Sequence, residues 1–120
     1  MTTWFTADTH FGHANVLKHG RNQFTSIEEH DEALITNWNS VVFPGDRVIH
    51  CGDFAWKNPL KYLNRLNGQI HLVLGNHDRL KAPERDAFAS VHDVLRVKVG
   101  EQSIYCCHYA WRVWKKARSK

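Results

Sequence analysis

Three short apolar runs, TWFTA at 3–7, RVIHC at 47–51 and IHLVL at 70–74, stop abruptly at Asp8, Gly52-Asp53 and Gly75-Asn76, with helix-forming segments between them. Runs of this length, rich in β-branched and aromatic residues and bounded by turn formers, read as strands. Strands alternating with helices point to an α/β fold. Ser26 with Glu29 three positions on forms a capping-box pattern, and Ile27, Leu34, Ile35 and Trp38 follow at helical spacing, so a helix is expected over 26–39. Asn58 and Pro59 open a second helix that Gly68 would stop, and a short third helix is expected near 82–88. VHDVLRVKV, the turn Gly100-Glu101-Gln102 and SIYCC read as a hairpin ending at His108. At 120 residues the chain supports one core, expected as a single domain over 1–110 with a basic tail at 111–120.

The tail carries the charge. Arg112, Lys115, Lys116, Arg118 and Lys120 leave 11 basic against 12 acidic side chains in residues 1–110. Such a tail could hold phosphate backbones by counterion release, or be simply solvated. No run approaches the roughly 20 apolar residues that cross a bilayer, and MTTWFTADTH lacks a signal-like leader, so no membrane association and a cytoplasmic location are expected. Cys51, Cys106 and Cys107, an odd set without CxxC spacing, read as reduced apolar fillers.

The strand ends deliver Asp8 with His10, then Asp53, then Asn76, His77 and Asp78, and last His108. In open α/β sheets the carboxyl ends of the strands form the ligand crevice, so residues a hundred positions apart can converge there. Carboxylate, amide oxygen and imidazole together suit manganese, iron, zinc, nickel or cobalt, whereas calcium takes oxygens. A shared carboxylate can bridge two ions, and Asp53 is central in the order. His13 reads either as a contact to this site or as a helix cap. Asp46 in PGDR reads as turn chemistry, His50 is open between core and surface, and His19, His30, His71 and His92 read as structural.

FTADTHFGH, HCGDFAW, LVLGNHDR and YCCHYAWRVW, in this order, resemble the motifs of the calcineurin-like metallophosphoesterases, particularly the small stand-alone bacterial and phage members. The resemblance implies a sandwich of mixed β-sheets flanked by helices. It also implies that Asp8 and His10 bind one metal, that Asp53 bridges, and that Asn76 and His108 bind a second, with manganese favoured. His77 would be the catalytic histidine, with Asp78 as a candidate to orient it. The implied reaction is hydrolysis of a phosphodiester or phosphomonoester, nucleotidic substrates among them, by a metal-bound hydroxide. Members of the family continue to a Gly-His-x-His motif, whereas the twelve residues after His108 hold neither histidine nor carboxylate. This pattern is expected of a C-terminally truncated member. Three protein ligands per metal would remain, or one ion only, and a homo-oligomer could cover an exposed sheet edge. The second reading is a weak or inactive relative that binds metal, phosphate or, through its tail, nucleic acid.

Overall fold

The computed structural model describes residues 1–110; the basic tail, with Trp111 and Trp114, lies outside the described residues. Strands β1 (Thr3–Thr6), β2 (Arg47–His50), β3 (Gln69–Val73) and β4 (Ser90–His92) form a parallel sheet in the order β1-β2-β3-β4. Helices α1 (Ile27–Val41), α2 (Pro59–Leu63) and α3 (Ala82–Ala87) make the crossovers, and a 3₁₀ turn, Ala14–Lys18, precedes α1. Strands β5 (Leu95–Val99) and β6 (Gln102–Cys106) pair antiparallel as a separate hairpin. Parallel and antiparallel pairing are therefore divided between two sheets.

Side-chain alternation assigns the layers. Val48, Ile70 and Leu72 pack with Ile35, Val42, Tyr62, Leu66 and Phe88 from the helical side. On the other face Ile49 and Val73 meet Val97 and Cys106 of the hairpin. Each such side chain, fully buried, contributes roughly 1.5–3 kcal/mol, so both faces of the central strands hold the layers together. They read as nearly unbroken apolar runs for that reason.

Local signals were partly realised. Ser26 Oγ accepts from Glu29 N–H at 3.1 Å and caps α1, but the Glu29 carboxylate takes the Thr25 hydroxyl at 2.6 Å instead of closing the box. Asn58 adopts φ 54° and makes no side-chain cap, which leaves Pro59 to open α2. VHDVLRVKV is not one strand. Its first residues complete β4, where Ala89 N–H donates to Ile70 O and Leu74 N–H to His92 O, both at 2.8 Å, and the chain turns at Asp93-Val94 before β5. The open edge of β3 takes the first half, and the hairpin only the second. Asp46 performs turn chemistry, accepting from Thr2 N–H, Phe43 N–H and the Trp4 indole at 3.0, 3.0 and 3.1 Å.

His50 belongs to the core. It is 0% exposed, accepts from Gly52 N–H at Nδ1 (3.2 Å) and donates from Nε2 to Thr9 Oγ1 (3.0 Å), whose hydroxyl passes on to Phe54 O (2.7 Å). Burial, and secondarily the charges of His10 and His108, push its pKa down to about 3. The unfolded chain, with histidine near 6.5, therefore binds the extra proton between about pH 6.5 and 3, and stability falls as pH drops through that window. Burial also lowers His10, His13 and His71, which adds in the same direction. Urea unfolding at pH 7 and pH 5 is expected to show a loss approaching about 1.4 kcal/mol per pH unit from His50 alone. Equal stability at the two pH values would contradict a neutral buried imidazole.

Candidate metal centre

Beyond the ends of β1 and β2 the two loops stay in register as a hydrogen-bonded ladder. Asp8 N–H donates to Gly52 O (2.8 Å), His10 N–H to Asp53 O (3.0 Å), Phe11 N–H to Phe54 O (3.0 Å) and Trp56 N–H to Phe11 O (2.8 Å). Within it Asp8, His10 and Asp53 have φ of 55°, 49° and 56°. That left-handed region is sparsely used by residues other than glycine, although Asp, Asn and His tolerate it best. At about 1–3 kcal/mol each, three such residues at three ligand-type side chains make these loops a candidate functional site.

The side chains converge. His10 Nε2 lies 3.8 Å from both Asp8 Oδ1 and Asp53 Oδ2, and the three donor atoms fall within 4.8 Å of one another. Two atoms each about 2.0–2.2 Å from one ion sit roughly 3–4.4 Å apart, so both His10 separations are of the length a shared transition metal sets. His108 Nε2 lies 3.5 Å from the same Asp53 Oδ2. The His108 Nδ1–H donates to Cys51 O at 2.8 Å. This backbone bond fixes the tautomer and leaves the Nε2 lone pair facing Asp53, an arrangement common to metal-ligating histidines. The Asn76 side-chain amide is 3.2 Å from His108 Nε2, and with its nitrogen turned inward it donates to Asp53 Oδ2 (3.0 Å) and Oδ1 (3.1 Å). With its oxygen inward it would face only acceptors, an arrangement that a bound cation would reconcile. Pairwise contacts thus gather six of the expected residues, Asp8, His10, Asp53, Asn76, His77 and His108, into one cluster.

Asp78 sits differently. Its carboxylate accepts from Asp53 N–H (2.7 Å), Phe54 N–H (2.9 Å) and Gly75 N–H (2.8 Å), and among the described residues it makes no hydrogen bond to the His77 ring. It positions the Asp53 loop rather than orienting His77. His77 is held through its own backbone, whose N–H donates to Asp53 Oδ1 at 2.9 Å. Gly75 completes the crossing, since a Cβ there would stand 2.5 Å from Asp53 Oδ1 and 2.6 Å from Asp53 N.

A second brace lies beneath the Asp8–Gly12 loop, from residues to which sequence reasoning gave no role in the site. Arg21 donates to Thr9 O (3.0 Å), to Asp8 O and to His30 Nε2 (2.8 Å). Fully buried His30 passes its Nδ1–H to Asp31 Oδ1 at 2.9 Å. Asp31 in turn accepts Gly12 N–H (3.0 Å) and the Tyr62 hydroxyl (3.1 Å). Burial, then the neighbouring Asp31 charge, push the Tyr62 phenol up to about 12. A signal was available: His30 and Asp31 occupy the positions four before Leu34 and Ile35, on the core-facing stripe of α1, where a polar pair needs partners.

His13 joins the site instead of capping a helix; the 3₁₀ turn it precedes takes no hydrogen bond from its side chain. Its imidazole stacks on the Trp56 indole, centroids 4.4 Å apart at 13°, and stands 5.5 Å from the His10 and His77 rings.

Residues 1–120 match the calcineurin-like phosphoesterase superfamily domain. The chain belongs to that superfamily. Among curated relatives, this phosphoesterase-family chain is 42% identical over 81 residues to the uncharacterized protein MJ1445 of Methanocaldococcus jannaschii, covering 63% of this chain and 46% of that protein. It is 37% identical over 91 residues to the Gene 66 protein of Mycobacterium phage L5, covering 71% of this chain and 44% of the phage protein. The chain thus spans about half the length of the curated relatives it matches. The crystal structure of AQ665, a protein of unknown function from Aquifex aeolicus, superposes with a TM-score of 0.74 at 31% identity, over 89% of this chain and 60% of that one. The α/β architecture with a parallel sheet flanked by helices is the one this superfamily has. Among the described residues no helix is long and apolar enough to cross a membrane.

Proposed function

We propose that the chain is a metal-dependent phosphoesterase whose six converging residues hold one or two divalent transition ions and a phosphoryl group. The carrying observation is that His10 and His108, from opposite ends of the described chain, both bring an imidazole nitrogen to the same Asp53 oxygen, at 3.8 and 3.5 Å. Asp8, His10 and Asp53 would hold one ion, and Asp53, Asn76 and His108 a second. The donor set of carboxylate, imidazole and amide suits manganese first, with iron, zinc, nickel and cobalt as alternatives. When bound, such ions supply Lewis acidity toward the phosphoryl oxygens and lower the pKa of water.

The remaining work falls to the protein. Asp53 is fixed by the backbone of His77 and by the Asp78 brace, so its second oxygen stays directed into the cluster. His77 stands in the same cluster, 5.8 Å from the His10 ring between centroids, where its ring can contact a phosphoryl oxygen or give a proton to the departing alcohol. No side chain need be esterified. The three free cysteines suit a reducing, cytoplasmic setting.

The test is a manganese titration of the intact chain with bis-p-nitrophenyl phosphate, beside Asp53→Ala and His77→Ala. Metal-dependent release of nitrophenol is expected, lost in both variants, with metal binding weakened only by Asp53→Ala. Manganese bound without turnover at any loading would remove the enzymatic reading.

A further inference from the structure

The rim of this cluster carries an aromatic ring that neither the core nor the metal chemistry uses. Trp56 lies three residues after Asp53, and its backbone N–H is fixed on Phe11 O at 2.8 Å. Its indole rests flat on His13, yet the residue remains 50% exposed. One face is thus braced while much of the side chain meets solvent, an arrangement that leaves apolar surface in water. The indole forms one wall of an open hollow of about 630 Å³ that Asn76, His77 and Arg79 also line. The volume lies within the range of small-molecule sites, ~300–1,000 Å³, and exceeds what a phosphate fills. Because Asn76 and His77 stand at the proposed phosphoryl position, the hollow begins there and runs outward to the indole. Arg79, on its wall, and Lys57, next to Trp56 in sequence, have no hydrogen-bond or ion-pair partner among the described residues.

We propose that Trp56, braced by His13 and flanked by Arg79, is the platform on which a nucleobase of the phosphoester stacks, so that preferred substrates are nucleotidic. The inference rests on the phosphoesterase reading and adds the substrate class. A held aromatic face accepts any base, because every base presents a π-face, and a neighbouring guanidinium can meet a further phosphate charge or stack in turn. Alkyl phosphoesters would leave the indole wet and the cation unmatched.

The test compares two esters with the same leaving group, thymidine 5′-(p-nitrophenyl) phosphate and methyl p-nitrophenyl phosphate, on the manganese-loaded intact chain. The thymidine ester is expected to be favoured in kcat/KM by roughly tenfold, the order of one stacked base. Trp56→Leu, which keeps apolar bulk without a π-face, should bring the ratio near unity, and Trp56→Phe should restore most of it. A ratio near unity in the intact chain, or one unchanged in Trp56→Leu, overturns the proposal. If neither ester is hydrolysed, the enzymatic reading fails separately. Equilibrium dialysis with thymidine 5′-monophosphate then decides the platform, and equal affinity for the intact chain and Trp56→Leu overturns it.

Discussion

Replacing Asp78 by alanine is expected to destabilise the chain by about 3–5 kcal/mol and to weaken manganese binding as well. Three backbone N–H groups, on Gly75, Asp53 and Phe54, lose their acceptor at once. Hydrogen bonds to a charged group contribute about 1.5–3 kcal/mol each, and a buried donor left unsatisfied costs ~1–3 kcal/mol. Asp78 is only half-buried, so water recovers part of this and the sum stays below the simple total. Against a domain stability of about 5–15 kcal/mol, the loss would be plain in urea unfolding at pH 7. Asp78→Asn should retain part of the stability, because one oxygen still accepts while the amide nitrogen opposes a donor. A loss below about 1 kcal/mol in the alanine variant would mean that the brace does not hold the loop.

Gly75→Ala is expected to disable the centre by adding one methyl group. The new Cβ would meet Asp53 Oδ1 at 2.5 Å, Asp53 N at 2.6 Å and His108 Cε1 at 3.0 Å. The nitrogen is backbone within the loop ladder and cannot swing aside as a side chain could. Overpacking of this kind costs typically ~1–3 kcal/mol. Displacement of Asp53 should also lower manganese affinity by at least the roughly 10–100-fold seen when outer-shell supports are removed. Gly45→Ala is the control, since nothing lies within 4 Å of its added carbon, and surface changes of this type stay within about 0.5 kcal/mol. Calorimetric titration with manganese separates the two, and unaltered affinity in Gly75→Ala would refute the close crossing.

The strands and the polar residues that end them were legible because a buried parallel strand leaves an apolar run, and the residues that stop it stand at the sheet's carboxyl edge. Helix α1 was legible through Ser26 and its apolar stripe. The break between β4 and β5 was not, since Val91, Val94, Leu95 and Val97 carry one continuous strand propensity and only the open edge of β3 divides them. Asp78 was placed in the right loop but given the wrong partner. Adjacency to His77 suggested a side-chain contact, whereas its real acceptor role is toward amides 24 and 25 positions away, and backbone donors leave no trace in residue identity. Arg21 was silent for the same reason, as two of its three acceptors are carbonyl oxygens.

The strand order β1-β2-β3-β4 has a consequence for biosynthesis. Every new strand of the parallel sheet adds to the edge laid down just before it, and no later strand has to be threaded between two earlier ones. A ribosome releasing the chain from its amino end can therefore zip the sheet progressively. Asp8, His10 and Asp53 emerge with the first two strands, but the Asp53 loop is set only when His77 and Asp78 follow β3, and His108 arrives last, after the hairpin. The candidate site would thus be completed only after the sheet that carries it has zipped.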